Sequence, residues 1–293
     1  MNVNAIVTAA RASRNWTPIV ELVPYACFLG MRLDIKGDQF TACMPFDPKL
    51  IGNPVLPALH GGATGGLMAY VLEQCQPHPD MCMVRTTLDM FRPVPMAPLR
   101  AESTVLREGK RLQMLEATLF AGDQAVARSV GIRMKTTDVV VPEKHQAQSP
   151  VPEGPLGLQE LKLSVGEDGQ RLPGLNANLE IRRLYGFDGQ GEGCAWIKVP
   201  VPVIAGVPNS PFVHLGIVSD FGNGLAQLFL PGTFGMINGD INLYFYRQPR
   251  GEWLALKSKA VMSPMGVGVV NTELYDVEGP VAQCHQAVMV QMR

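Results

Sequence analysis

Residues 86–135 read TTLDMFRPVPMAPLRAESTVLREGKRLQMLEATLFAGDQAVARSVGIRMK. Residues 241–293 read INLYFYRQPRGEWLALKSKAVMSPMGVGVVNTELYDVEGPVAQCHQAVMVQMR. One offset aligns them. Arg92 matches Arg247, Leu119 matches Leu274, Val126 matches Val281, Ala127 matches Ala282 and Met134 matches Met289, each pair 155 positions apart. Both stretches place an acidic residue and a glycine just before the last apolar run, Gly122-Asp123 and Glu278-Gly279. Alternation of the Leu115, Ala117, Leu119 kind predicts half-buried strands, and the glycine-bearing turns predict hairpins between them. Co-linear strands and turns at a constant offset point to an internal repeat of one domain type.

Working outward, each half carries a segment that can be helical before its strands: His60 to Gln74, and Phe212 to Phe229. Further strand candidates precede each one, Met31 to Pro45 and Gly193 to Val203. A long central helix against a mainly antiparallel sheet is an α+β arrangement. Between the halves, DVVVPEKHQAQSPVPEGPLGLQE is rich in Pro, Gln, Glu and Gly and has no sustained period, as a linker would. The expected division is an N-terminal domain over 1–140, a linker over 141–176 and a C-terminal domain over 177–293.

Composition excludes several functions. The 293 residues are 46% hydrophobic and 17% charged, which supplies cores and argues against disorder. A formal net charge of −1 with no basic block makes nucleic acid an unexpected partner. The start, MNVNAIVTAARASRNW, lacks the charged and apolar regions of a signal peptide, and no run of 18 apolar residues exists to span a membrane. Six scattered cysteines without a CxxC pair read as reduced thiols of a cytoplasmic protein. The five histidines show no metal-ligand spacing, Gly61-Gly62…Gly65-Gly66 lacks the context of a dinucleotide fingerprint, and no GxSxG elbow exists. No cofactor is expected.

Two motifs carry a resemblance. Asn53-Pro-Val-Leu-Pro-Ala-Leu-His60-Gly61-Gly62, followed by ATGGLMAYVLEQ, resembles the Asn…His-Gly-Gly entry into the central helix of small hotdog thioesterases. The second half resembles the C-terminal half of the acyl-CoA thioesterase II family, through LGIVSD ending at Asp220, DINLYFYR ending at Arg247, Gly251-Glu-Trp-Leu254 and VAQCHQ ending at Gln286. The resemblance implies a tandem (double) hotdog, each half a long central helix wrapped by a curved antiparallel sheet. It implies a hydrolase acting on an acyl-CoA thioester and a homodimer or higher homo-oligomer. It also implies three residues that orient the hydrolytic water, which fall on Asp220, Asn238 and Gln286. Asn238 departs from the family pattern, where a hydroxyl residue stands.

Elementary chemistry supports these positions. A thioester must have its carbonyl oxygen polarised, a task for backbone N–H groups at a helix start; His60-Gly61-Gly62 opens such a helix, and the resemblance implies a substrate-binding role for Asn53 upstream of it. The bland reading of these glycines is close helix packing. Asp220 shares a helical face with Val213, Ile217 and Leu228, so burial is expected to raise its pKa toward that of a general base. Gln286 is the lone amide on the strand face Ala282-Cys284-Gln286-Val288-Val290 and needs a partner. By the 155 offset Gly65, Met83 and Gly131 stand opposite Asp220, Asn238 and Gln286; aligned on His60, Ala69 stands opposite the acid. One competent site is therefore expected, at the seam between halves. The alternatives are a hydratase or dehydratase on the same fold, for which His60 and His214 show no acidic partner in sequence, and a non-catalytic acyl-CoA binder.

Overall fold

The computed structural model describes residues 32–36, 39–44, 51–53, 56–95, 99–147, 149–163, 175–203 and 207–292. The expectations placed on the first 31 residues, on Cys27 and on the segment 164–174 lie outside these. In the first half, β1 (Arg32–Lys36) and β2 (Gln39–Met44) precede a short pair, β3 (Ile51–Asn53) and β4 (Leu56–Leu59). Helix α1 (Gly61–Gln74) follows, then β5 (Met81–Met90), β6 (Leu99–Arg107), β7 (Leu112–Ala121) and β8 (Gln124–Lys135). The second half holds β9 (Glu180–Tyr185), β10 (Glu192–Lys198), helices α2 (Pro211–Val218) and α3 (Phe221–Leu225), then β11 (Thr233–Asn238), β12 (Asp240–Phe245), β13 (Trp253–Met262), β14 (Val267–Asp276) and β15 (Gly279–Met292).

All strands but the separate pair β3-β4 form one sheet in the order β1-β2-β6-β7-β8-β5-β12-β15-β14-β13-β10-β9, with β11 also on β15, and every pairing is antiparallel. The halves meet edge to edge at β5 and β12, where Leu88 faces Ile241 and Thr86 faces Leu243. The 155-residue offset recurs in the registers. Leu119 pairs with Ala101 and Ala127, as Leu274 pairs with Leu256 and Ala282; Leu88 pairs with Ser129 as Leu243 does with Cys284. The expected hairpin at Gly122-Asp123 joins β7 to β8, and Gly122 takes the positive φ of 59° that such a turn needs.

Both helices lie over the seam, and their contact depends on absent side chains. A Cβ on Gly65 would stand 2.3 Å from the carbonyl oxygen of Gly216, and one on Gly216 would stand 2.8 Å from that of Gly65. The backbones touch there, so the close-packing reading holds for these two glycines. Helix α1 is buried from Gly62 to Leu72. A buried end leaves carbonyls without water, and Arg133 supplies their donors. Its guanidinium reaches the carbonyls of Leu72, Glu73, Cys75 and Gln76 at 2.8–2.9 Å and the Gln113 amide oxygen at 2.8 Å. Arg133→Met is expected to lower the unfolding free energy by about 2–4 kcal/mol, measured as a lower urea midpoint.

The second helix differs from expectation. The single element reaching Phe229 is instead two short helices separated by Ser219 and Asp220. Three glycines (216, 222, 224) lower helix propensity here, and the Ser219 hydroxyl donates to the Gly216 carbonyl at 2.9 Å. Leu228 leaves the helix altogether and bridges to Gln190. Asp220 thus sits at a helix junction, not on a continuous apolar face.

The connector also differs. Residues 138–147 are exposed, as a linker would be. From Ser149 onward the chain packs on the outer face of the second-half sheet. The Trp196 indole donates to the Glu153 carbonyl at 2.6 Å, Leu158 packs on Trp196 and Tyr275, and the Leu161 N–H donates to the Ile181 carbonyl at 2.9 Å. Cys82, Cys194 and Cys284 are free thiols.

Candidate active site

The start of α1 faces the helix junction of the second half. His60 is the N-cap residue, in extended backbone (φ −65°, ψ 138°), so its ring turns back over the first amides of the helix. A Cβ on Gly61 would lie 2.5–2.7 Å from the carboxylate atoms of Asp220. Gly61 is therefore glycine because the carboxylate occupies the space beside it. The group that approaches this glycine closely is a protein side chain.

Asp220 is held at both oxygens. Oδ2 lies 2.9 Å from His60 Nδ1 and 3.0 Å from the Gly62 amide nitrogen; Oδ1 lies 3.1 Å from Asn238 Nδ2. The Gly62 amide is also 3.0 Å from His60 Nδ1. Nδ1 cannot accept from Gly62 and donate to Asp220 together. Two lone pairs at 2.9 Å would repel, so Nδ1 carries a proton for the carboxylate and the Gly62 N–H turns to Oδ2. Asp220 thereby caps α1 from across the seam. The His60 ring stacks on Phe221 with centroids 4.9 Å apart.

The electrostatics reverse one expectation. Burial acts to raise the Asp220 pKa, but the His60 charge and the hydrogen bonds from His60, Asn238 and Gly62 outweigh it and hold the carboxyl below its ordinary range. An ionised, oriented carboxylate results. Only 11% of its side chain is exposed, which leaves it a narrow face toward solvent.

Behind Asn238 lies a network that the sequence reading did not find. Asn223 Nδ2 donates to Asn238 Oδ1 at 3.3 Å, and Gln227 Nε2 donates to Asn223 Oδ1 at 3.1 Å. Gln227 also clasps the backbone of Met236, accepting from its N–H at 2.7 Å and donating to its carbonyl at 2.9 Å. The signal was the spacing of Asp220, Asn223 and Gln227, which puts three polar groups along one side of a helical stretch.

Gln286 lies on the inner face of β15, opposite Val270 and fully buried. Its amide sits beneath α3: a Cβ on Gly222 would be 3.0 Å from Oε1. Neither amide atom has a hydrogen-bond partner among the described residues. Asn53 is placed on β3, but its side chain lies outside the described residues. At the corresponding first-half positions, Gly65 serves the helix crossing and Gly131 packs against Met83. No carboxylate stands at these or at Ala69. Glu73 is elsewhere: burial raises its pKa, while a hydrogen bond with Ser210 and the Arg133 charge oppose the rise. His214 is buried, with its pKa pushed down to about 4 by desolvation. His60 has the acidic partner that the sequence did not reveal.

Among the described residues no cluster of three or more His, Cys, Asp or Glu could hold a metal ion.

Residues 53–134 match the family model described as the acyl-CoA thioesterase N-terminal domain, and residues 148–290 match the acyl-CoA thioesterase C-terminal domain. Curated proteins offer no match to the chain. Solved structures do. Acyl-CoA thioesterase II TesB2 of Mycobacterium marinum is similar with a TM-score of 0.66 and 14% identity, covering 91% of this chain and 96% of that one. The tesB protein MAP1729c of Mycobacterium avium subs paratuberculosis has a TM-score of 0.62 and 13% identity over 94% and 99% of the two chains. A conserved protein with a hot dog fold from Alicyclobacillus acidocaldarius has a TM-score of 0.67 and 18% identity over 89% and 96%. At these identities the likeness shows the fold, a hotdog.

Proposed function

The chain belongs to the acyl-CoA thioesterase family, and from that premise we propose that it hydrolyses an acyl-CoA thioester at the seam where Asp220 meets the start of α1. The observation that carries this reading is the seating of a second-half carboxylate on the first-half helix, with both oxygens held. Water attacks the thioester carbon and Asp220 takes its proton; the carbon–sulfur bond then breaks and Asp220 returns that proton to the leaving sulfur, so the products are the free acid and the coenzyme A thiol. Asn238 fixes Asp220 through Oδ1. It replaces a hydroxyl donor with an amide donor, which keeps the hydrogen bond.

Gln286 completes the water site in this reading. A fully buried amide without a protein partner is costly, and a water bound between it and Asp220 would satisfy it. The Gly62 amide is committed to Asp220, so polarisation of the carbonyl falls to the Gly61 N–H at the start of α1. Asn53 keeps the substrate-side role its motif implies. The first half contributes no second acid, so each chain has one competent site.

The recurrence of the same register at a constant offset supports two hotdog units joined edge to edge. In the second unit the central helix is interrupted. A cytoplasmic location fits free thiols; among the described residues no helix is long and apolar enough to cross a membrane. We propose a homodimer through the outer sheet face, where Val261, Val267, Val269, Met289 and Ile237 are 40–56% exposed on neighbouring strands. Light scattering should return twice the chain mass, and Val267→Lys with Met289→Lys should restore the monomer.

Free thiol released from a panel of acyl-CoA esters tests the reaction. No release from any ester overturns it. The His60–Asp220 pair gives a hydratase reading its one favourable observation. Loss of the enoyl chromophore without thiol release would select that reading.

A further inference from the structure

We propose that Phe212 is the residue that sets acyl-chain length, as a partition across one apolar channel; this rests on the hydrolase reading above. The helix crossing leaves a small cavity beneath it. Gly65, Ala69 and Gly216 form its roof, and Leu88, Ile241 and Leu243 of the seam strands form its floor. Ser219, the residue before Asp220, lines its near end, and Gly65 lies one helical turn along α1 from Gly61. In the proposed pose, an acyl group whose carbonyl sits at the start of α1 extends into this space.

The cavity measures about 20 Å³, room for about one water-sized group. Its hydroxyls are turned to backbone at two positions: Ser129 donates to the Thr87 carbonyl and Ser219 to the Gly216 carbonyl, both at 2.9 Å. No charged residue lines it. It suits the end of a short, unsubstituted acyl group.

A second cavity of about 50 Å³ lies further on, lined by Met83, Leu215, Phe245 and the stem of Arg247. Phe212 alone lines both cavities. Its ring is 6% exposed and rests edge-on against Phe245, with centroids 5.5 Å apart. The Arg247 head is held by Asp276 through two bonds of 2.6 Å, so its charge is paired, and Tyr246 and Gln248 are the other polar residues of the lining. Two small cavities that share one ring are what the proposed partition rests on: removing the ring would join them.

The test is a chain-length series of acetyl-, butanoyl-, octanoyl- and palmitoyl-CoA, with hydrolysis followed by free thiol. A parallel series of S-alkyl-CoA thioethers, which cannot be hydrolysed, is measured by calorimetry. Wild type should prefer the short members in both. Phe212→Ala should raise the octanoyl-to-butanoyl ratio of kcat/KM, and of thioether affinity, by about tenfold or more. Phe212→Leu, the conservative variant that guards against misfolding, should shift the ratios in the same direction by less. Ala69→Leu, which fills the inner cavity from its other side, should restrict the enzyme to acetyl-CoA. If thermal melts show folded variants and the ratios stay at wild type, the proposal is overturned, as it is if wild type already prefers palmitoyl-CoA. If no ester is cleaved while thioether affinities shift as stated, the hydrolase reading fails and the channel stands.

Discussion

Asp220→Asn is expected to lower kcat by roughly 10²–10⁴-fold with little change in KM. In the proposed reaction the carboxylate takes a proton from water and makes no contact with coenzyme A. Asn keeps the size of the side chain and can still accept from Gly62 through its carbonyl, so the fold survives. Sequence reasoning from a buried acid alone would have Asn stabilise the protein. The geometry predicts the reverse, because Asp220 is paired with His60 and caps α1. A loss of about 1–3 kcal/mol is expected at neutral pH. Its pH dependence has a definite sign. A carboxyl held below its ordinary 3.8 contributes stability above that value and loses it as pH falls through the folded-state pKa. The gap in stability between wild type and Asp220→Asn should therefore be full at pH 7 and close only below about pH 4. A gap that closes near pH 6, or a variant with wild-type turnover on a verified ester, would remove Asp220 from the role assigned to it.

How much of this was legible in the sequence differs by residue. The repeat was legible, because strands of period 2 carry their register in their apolar positions: Leu119 and Leu274 each face an alanine on the last strand, at the offset first seen in the letters. Gln286 was legible for the same reason, as the amide on an otherwise apolar face. The break at Ser219–Asp220 was not. Apolar residues continue at helical spacing through Phe229, and periodicity does not register a hydroxyl that turns on its own helix backbone. The packed connector was missed because Pro and Gly read as linker, whereas Leu158 and Leu161 find partners on strands that lie beyond it in sequence. The direction of the Asp220 pKa could not be read, since its dominant partner is 160 positions away and no local pattern joins them. Of the three residues the resemblance put in one site, Asp220 and Asn238 share one hydrogen bond, and Gln286 lies beneath Gly222 with no bond to either among the described residues.

The same geometry makes Gly61 the most sensitive position that has no side chain to take part in the chemistry. Ala at a helix start is more favourable than Gly by up to about 1 kcal/mol, so Gly61→Ala would be neutral or stabilising if only the helix mattered. Its Cβ would stand 2.5 Å from Oδ1 and 2.7 Å from Oδ2 of Asp220. The obstacle is the end of a side chain and not backbone, so the carboxylate moves while the fold stays. Moving it breaks its contacts with His60, Gly62 and Asn238 together. A displacement of about 1 Å in a reacting group can cost about 10²-fold, and Gly61→Ala is expected to lose at least that in kcat with a melting temperature within a few degrees of wild type. Gly154→Ala, where a Cβ meets nothing within 4 Å, serves as the control. The double variant decides between two uses of the glycine. If Gly61 acts by giving Asp220 its place, Gly61→Ala with Asp220→Asn should be no slower than Asp220→Asn within about threefold, because both remove one interaction. If Gly61 instead admits the substrate to the backbone, as its motif alone suggests, the two losses should multiply. Multiplication would leave the carboxylate contact as a packing detail and return the start of α1 to the thioester carbonyl.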